Sequence, residues 1–302
     1  MADSDIRTQT FGTLLTAMVT PFTKDGEVDY EAAGQLAAKL VDDGCDGLVV
    51  TGTTGETSTL TDEENLGMFQ AVLAAVGGRA KVIAGTGTND TRHSISLSRR
   101  AADLGVDGLL LVTPYYNKPS QAGVQAHFEA IASATELPVM LYDIPGRTGI
   151  PIATETILRL AEHPNIQGLK DAKADFASIT RVLAKTDLAV YSGDDGLTLP
   201  WMAAGALGVV SVTAHVATKQ FRALVDAALA GDFATARRIH FELDPVIRGV
   251  MTRVQGAVAT KQVLTWQGVL PTSTVRLPLV EPGDAELALI RADLAEAGMD
   301  FA

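Results

Sequence analysis

Short apolar runs alternate with stretches of helical periodicity along most of the chain. Leu14 to Val19 is the first run, closed by Thr20-Pro21, where proline withdraws a backbone donor from any sheet. Tyr30 to Val41 then carries apolar residues at helical spacing, and after Gly44 comes the strand-like Gly47-Leu48-Val49-Val50. Further strands fit at Lys81 to Ala84, Pro138 to Tyr142, Gln167 to Lys170 and Ala189 to Ser192.

One pattern repeats. Gly44-Cys45-Asp46-Gly47-Leu48-Val49-Val50 returns as Gly105-Val106-Asp107-Gly108-Leu109-Leu110-Leu111, and more loosely as Gly205-Ala206-Leu207-Gly208-Val209-Val210. A helix-ending glycine, a short turn and a continuous apolar strand are the mark of parallel strands buried on both faces. About eight such strands with helices between them predict an α/β fold, the (β/α)8 TIM barrel. An open doubly wound sheet is the alternative, but no Gly-x-Gly-x-x-Gly follows the first strand; Gly85-Thr86-Gly87-Thr88-Asn89 comes nearest and lacks the last glycine. After Val212 the pattern turns helical, at Gln220 to Leu229, Phe233 to Val250, Gly256 to Gln267 and Ala285 to Ala297. The predicted division is a barrel over residues 1–224 and a C-terminal all-helical appendage over 225–302, suited to bracing or oligomer contacts.

Composition narrows the function. The 302 residues are 47% hydrophobic with a mean hydropathy of +0.18, which fits a barrel with an appendage and not a disordered chain. A formal net charge of -12 and a pI near 4.8 argue against nucleic acid or an anionic membrane as partner. An anionic substrate would therefore need a local cationic site. Cys45 is the sole cysteine, and the five histidines have no metal-ligand spacing, so neither a disulfide nor a metal is expected, and no cofactor is required. The polar start, Met1-Ala2-Asp3-Ser4-Asp5, lacks the build of a signal peptide and points to the cytoplasm. Gly196 to Ala214 is uncharged, yet Pro200, Gly205 and Gly208 divide it into a turn, a short helix and a strand rather than a membrane span.

The chemistry of a barrel gathers where its strands end, so position separates one lysine from another. Lys170 closes the run Ile166-Gln167-Gly168-Leu169-Lys170-Asp171, whereas Lys81 opens its strand and belongs at the opposite, stabilising face. Lys118 and Lys173 are loop positions of lower rank. An amine at a barrel mouth can attack a carbonyl once burial or a neighbouring cation lowers its pKa; the plainer role for such a lysine is a structural ion pair.

Its companions lie at the other strand ends. Thr51-Gly52-Thr53-Thr54-Gly55-Glu56 offers hydroxyls and freed amides that can hold a small carboxylate, or simply a turn that caps the next helix. Thr113-Pro114-Tyr115-Tyr116-Asn117-Lys118-Pro119 sets two tyrosines in a loop, for a pocket or for a subunit contact. Leu141-Tyr142-Asp143-Ile144-Pro145-Gly146-Arg147 supplies a phenol for proton transfer and an arginine for a carboxylate, or else a core tyrosine and a surface arginine. Together the groups suit Schiff-base aldol chemistry on a keto acid.

These motifs, with Gly168-Leu169-Lys170-Asp171-Ala172 and Ser192-Gly193-Asp194-Asp195, closely resemble the dihydrodipicolinate synthase family of the pyruvate-dependent N-acetylneuraminate lyase superfamily over nearly the whole chain. The resemblance implies condensation of pyruvate with L-aspartate-4-semialdehyde on the way to diaminopimelate and lysine. It implies a Schiff base at Lys170, proton exchange by Tyr142 with Thr53, and Tyr116 reaching in from a neighbouring subunit. Thr54 and the backbone of Val210 would bind pyruvate, and Arg147 the semialdehyde's carboxylate. A homotetramer built as a dimer of dimers is implied as well. Other pyruvate aldolases, such as sialic acid or sugar-acid lyases, are the nearest alternative, and a catalytically silent barrel is a more remote one.

Some residues depart from the family pattern. Asp143 stands where many relatives carry asparagine, and Gln255-Gly256-Ala257-Val258 lacks an Asn-Pro-rich pattern. Asp62 and Asn65 stand where lysine-inhibited relatives carry histidines, and His93 replaces a glutamate, while Tyr115 and Asn89 remain compatible. Losing a carboxylate for the effector's ammonium predicts weak or absent inhibition by lysine.

Overall fold

The computed structural model describes residues 10–301. Among them, eight parallel strands close into a barrel in sequence order: β1 Leu14–Ala17, β2 Gly47–Val50, β3 Lys81–Gly85, β4 Gly108–Val112, β5 Val139–Asp143, β6 Ile166–Asp171, β7 Ala189–Ser192 and β8 Gly208–Ser211. β8 returns to β1 through Leu15↔Val210, which completes the ring. No helix of the described residues is long and apolar enough to cross a membrane.

The repeated glycines have a steric reason. Gly44 and Gly205 both sit at φ +113, turning the chain out of a helix and into the next strand. The second glycine of each repeat opens a strand where backbones nearly touch: a Cβ on Gly208 would lie 1.7 Å from the Thr13 carbonyl oxygen. Gly108 and Gly168 face Phe11, whose ring a Cβ at either position would meet at 2.9 Å. Phe11 thus plugs the lower end of the barrel and packs with Leu15, Val49, Ile83, Met140, Tyr142, Tyr191 and Val210 in its interior. A second apolar layer joins the outer faces of the strands to the surrounding helices.

The first strand is shorter than its apolar run suggests. It ends at Ala17, and the Val19 amide leaves the sheet to donate to His215 Nε2 at 3.0 Å. His215 Nδ1 in turn donates to the Val212 carbonyl at 2.7 Å, so a neutral imidazole ties the end of β1 to the loop after β8. Burial pushes this histidine down to about 4. After β8 come helices Ala214–Leu229, Phe233–Met251, Gly256–Trp266 and Asp284–Glu296. The first begins six residues earlier than the periodicity predicts, runs through residue 225 and bends at Ala217 (φ -136, ψ 38). Arg248 and Arg253 both pair with the buried Asp293, which fastens the last helix to Phe233–Met251.

Candidate active site

β5 and β6 run in register so that Tyr142 pairs with Lys170, and Lys170 pairs on its other side with Tyr191. Side chains paired across parallel strands point to one face, here the barrel interior. Lys170 is 4% exposed, and its Nζ stands 4.1 Å from the centroid of the Tyr142 ring. Burial pulls the amine down to about 8; Asp195 opposes this and Arg147 reinforces it. The same burial pushes the Tyr142 phenol up to about 12, against the Arg147 charge and a hydrogen bond with the Thr53 side chain. Amine, phenol and hydroxyl therefore form one connected group.

Thr53 and Thr54 belong to the tight turn Thr53–Gly55, which follows directly from β2. Gly55 and Glu56 donate backbone N–H groups to the Gly52 and Thr53 carbonyls, and Thr20 Oγ1 donates to the Gly55 carbonyl at 2.6 Å. Glu56 leaves the turn at φ +56, a strained conformation for a side-chain-bearing residue. Its buried carboxylate bonds to Lys261 Nζ and accepts the Arg276 amide at 3.0 Å. The turn is thus anchored by the C-terminal region.

Arg147 lies in the short helical turn Pro145–Thr148 after β5, exposed at the mouth. Val210 is on β8 within the interior cluster that holds Tyr142. A cavity of about 430 Å³ opens at the barrel mouth, and its walls include Thr53, Tyr142, Arg147, Tyr115, Asn89 and His93. Lys170, Thr54 and Val210 are not part of that wall; Lys170 lies against the Tyr142 ring. Tyr116 is 89% exposed at φ +73 and is not part of the cavity wall. Among the described residues, no cluster of three or more His, Cys, Asp or Glu side chains is placed to hold a metal ion.

Two further groups support the site, Asp195 near the amine and Lys261 bonded to Glu56 at the end of the Thr53–Gly55 turn. Asp195 is buried beyond β7, where Oδ2 accepts from the Val212 and Thr213 amides and the Thr213 hydroxyl at 2.7 to 3.2 Å. Burial raises its pKa, and its charge supports the protonated form of Lys170. Lys261 sits in the helix Gly256–Trp266, and no local pattern links it to a turn 205 positions away. Asp195 had a signal, the paired aspartates after a strand end; Lys261 had none.

A sequence profile of the Dihydrodipicolinate synthetase family matches residues 10–297. The chain is 55% identical over 289 residues to the 4-hydroxy-tetrahydrodipicolinate synthase of Kineococcus radiotolerans, covering 96% of this chain and 94% of that protein. Its fold matches the crystal structure of dihydrodipicolinate synthase from Aquifex aeolicus with a TM-score of 0.93 and 38% identity, over 96% of this chain and 99% of the other. It also matches the chloride-inhibited dihydrodipicolinate synthase of Acinetobacter baumannii complexed with pyruvate, with a TM-score of 0.91 and 39% identity over 95% and 98% of the two chains. Profile, sequence and fold agree along almost the full length, and the chain belongs to the dihydrodipicolinate synthetase family.

Proposed function

We propose that this chain condenses pyruvate with L-aspartate-4-semialdehyde to give 4-hydroxy-tetrahydrodipicolinate, the entry to diaminopimelate and lysine. The observation that carries the reading is the buried amine of Lys170, lowered to about 8 and seated over the Tyr142 ring. As the free amine it adds to the keto carbon of pyruvate, and loss of water leaves the imine. Tyr142, bonded to Thr53, supplies and receives protons through these steps and takes part in removing one from the pyruvate methyl group. The resulting enamine carbon attacks the aldehyde, whose carboxylate is received by Arg147, and the semialdehyde's own amino group then displaces the Lys170 amine from the imine carbon, closing the ring and freeing the lysine; Thr54 and the Val210 backbone hold the pyruvate carboxylate. No metal or cofactor enters this scheme.

In the same reading the active species is a cytoplasmic homotetramer, a dimer of dimers, with Tyr116 crossing to complete the neighbour's relay. Its 89% exposure within one chain supports that role, and sedimentation of the active species checks the assembly. Residues 1–224 then form the catalytic barrel and 225–302 a helical domain that braces it.

Turnover of pyruvate with the semialdehyde tests the proposal directly. A sugar-acid lyase needs a longer, hydroxyl-rich pocket, so faster turnover of a sugar-derived aldehyde would reject the reading in favour of that alternative. Lysine added to the same assay at millimolar levels should leave the rate nearly unchanged. Asp62, the carboxylate lining this part of the cavity, already pairs with His93 at 2.8 Å and with Arg100 at 3.6 Å. Strong inhibition below a millimolar would overturn that part.

A further inference from the structure

Asp143 closes β5 one residue beyond Tyr142, and strand alternation turns its fully buried carboxylate away from the barrel interior. Its Oδ1 accepts the Ile152 amide at 3.1 Å, and its Oδ2 lies 3.3 Å from Lys173 Nζ. Lys173, itself 10% exposed, donates back to the Ile152 carbonyl at 3.2 Å and to Ser178 Oγ at 2.9 Å. Both backbone groups of one buried residue are therefore held by one ion pair. The segment between Asp143 and Ile152 is the loop that carries Arg147.

We propose that the Asp143–Lys173 pair is a positioning clasp: it joins the two ends of loop 144–151 and thereby sets where Arg147 meets the carboxylate of the acceptor aldehyde. This rests on the function proposed above. Neither residue lines the cavity. Loosening the clasp weakens acceptor binding while leaving capture of pyruvate at Lys170 intact, because Lys170 is held by β6 rather than by the loop.

Charge supports the geometry. Asp143 is faced by Lys173 and by Asp171, its register partner on β6. Burial pushes Asp143 up to about 6, Lys173 opposes this, and Asp171 adds to it. A carboxyl whose pKa is higher folded than unfolded favours folding when protonated, so burying the Asp143 carboxylate costs stability above about pH 6, and the Lys173 charge offsets part of that cost. As pH falls through about 6 the carboxylate takes up a proton and the ion pair is lost.

The test is steady-state kinetics of the full-length enzyme and of Lys173→Met and Asp143→Asn, with the rate of borohydride trapping by pyruvate measured alongside. In Lys173→Met the KM for the semialdehyde rises about tenfold, while kcat and trapping stay within about twofold. In the unmodified enzyme that KM climbs as pH falls through about 6, and Asp143→Asn lacks this acid limb. The loss of the acid limb in Asp143→Asn assigns it to Asp143 rather than to the neighbouring Asp171, whose carboxyl is also pushed up by burial, so the decision does not hang on Lys173→Met alone. A lowered Tm with KM unchanged reduces the pair to a structural role and overturns the inference. Loss of trapping overturns its selectivity for the acceptor. Absence of turnover in the unmodified enzyme overturns the function proposed above and this inference together, whereas turnover with a KM indifferent to pH and substitution overturns the inference alone.

Discussion

Lys170 and Lys261 are both buried amines lowered to about 8, chiefly by burial, yet their surroundings differ in a way that suits them to opposite work. Lys261, at 0% exposure, spends its N–H groups on the Glu56 carboxylate and the Thr274 carbonyl, and its Nζ lies 4.0 Å above the Phe22 ring. Lys170 is met by Asp195 only through longer-range attraction and has no hydrogen-bonding partner among the described residues. A lowered lysine pKa therefore marks burial. What marks a nucleophile is a buried amine with no anion bonded to it, placed where a carbonyl can arrive. The paired lysine instead pins the Thr53–Thr54 turn to the C-terminal helices.

The contrast can be broken first by activity. Lys170→Met removes turnover altogether, and Tyr142→Phe lowers kcat by about a hundredfold or more while the fold persists. Normal turnover in either variant, read in the aldehyde-consumption assay, removes that residue from the chemistry. Stability sharpens the contrast next. Lys261→Met leaves Glu56 buried without its cation and destabilises the protein by about 3 to 5 kcal/mol in denaturant titration. Lys170→Met has the opposite sign. The folded pKa of about 8 lies below the ordinary 10.5, so the folded chain binds fewer protons between those values and gains stability as pH rises across that window. At neutral pH the cost of the buried ammonium is fully present, about 3 kcal/mol, and the apolar substitution recovers part of it. Two destabilised variants of equal size would show that both amines are paired.

The fold was largely legible because each strand is a local event. β2 and β7 coincide with their apolar runs, and the others differ by one or two residues at one or both ends. The repeat Gly44 to Val50 has a local cause, a left-handed glycine and then a close backbone approach. The helix from Ala214 extends beyond the periodic stretch that starts at Gln220 because its first turns mix small and polar residues and bend at Ala217. What escaped the sequence are pairings across distance. Glu56 with Lys261 and Asp143 with Lys173 each join elements whose neighbourhood only the closed barrel creates. Tyr116 illustrates another limit: its left-handed backbone follows from the loop around it, not from anything a tyrosine prefers.

The central claim is that Lys170 is the amine that captures pyruvate. Borohydride reduction with pyruvate, followed by mass spectrometry of the peptides over a pH series, measures it directly. The account predicts one adduct, on Lys170, whose rate of formation rises as pH passes through about 8. An adduct on Lys173 or Lys261, or a folded protein left unmodified, would contradict it.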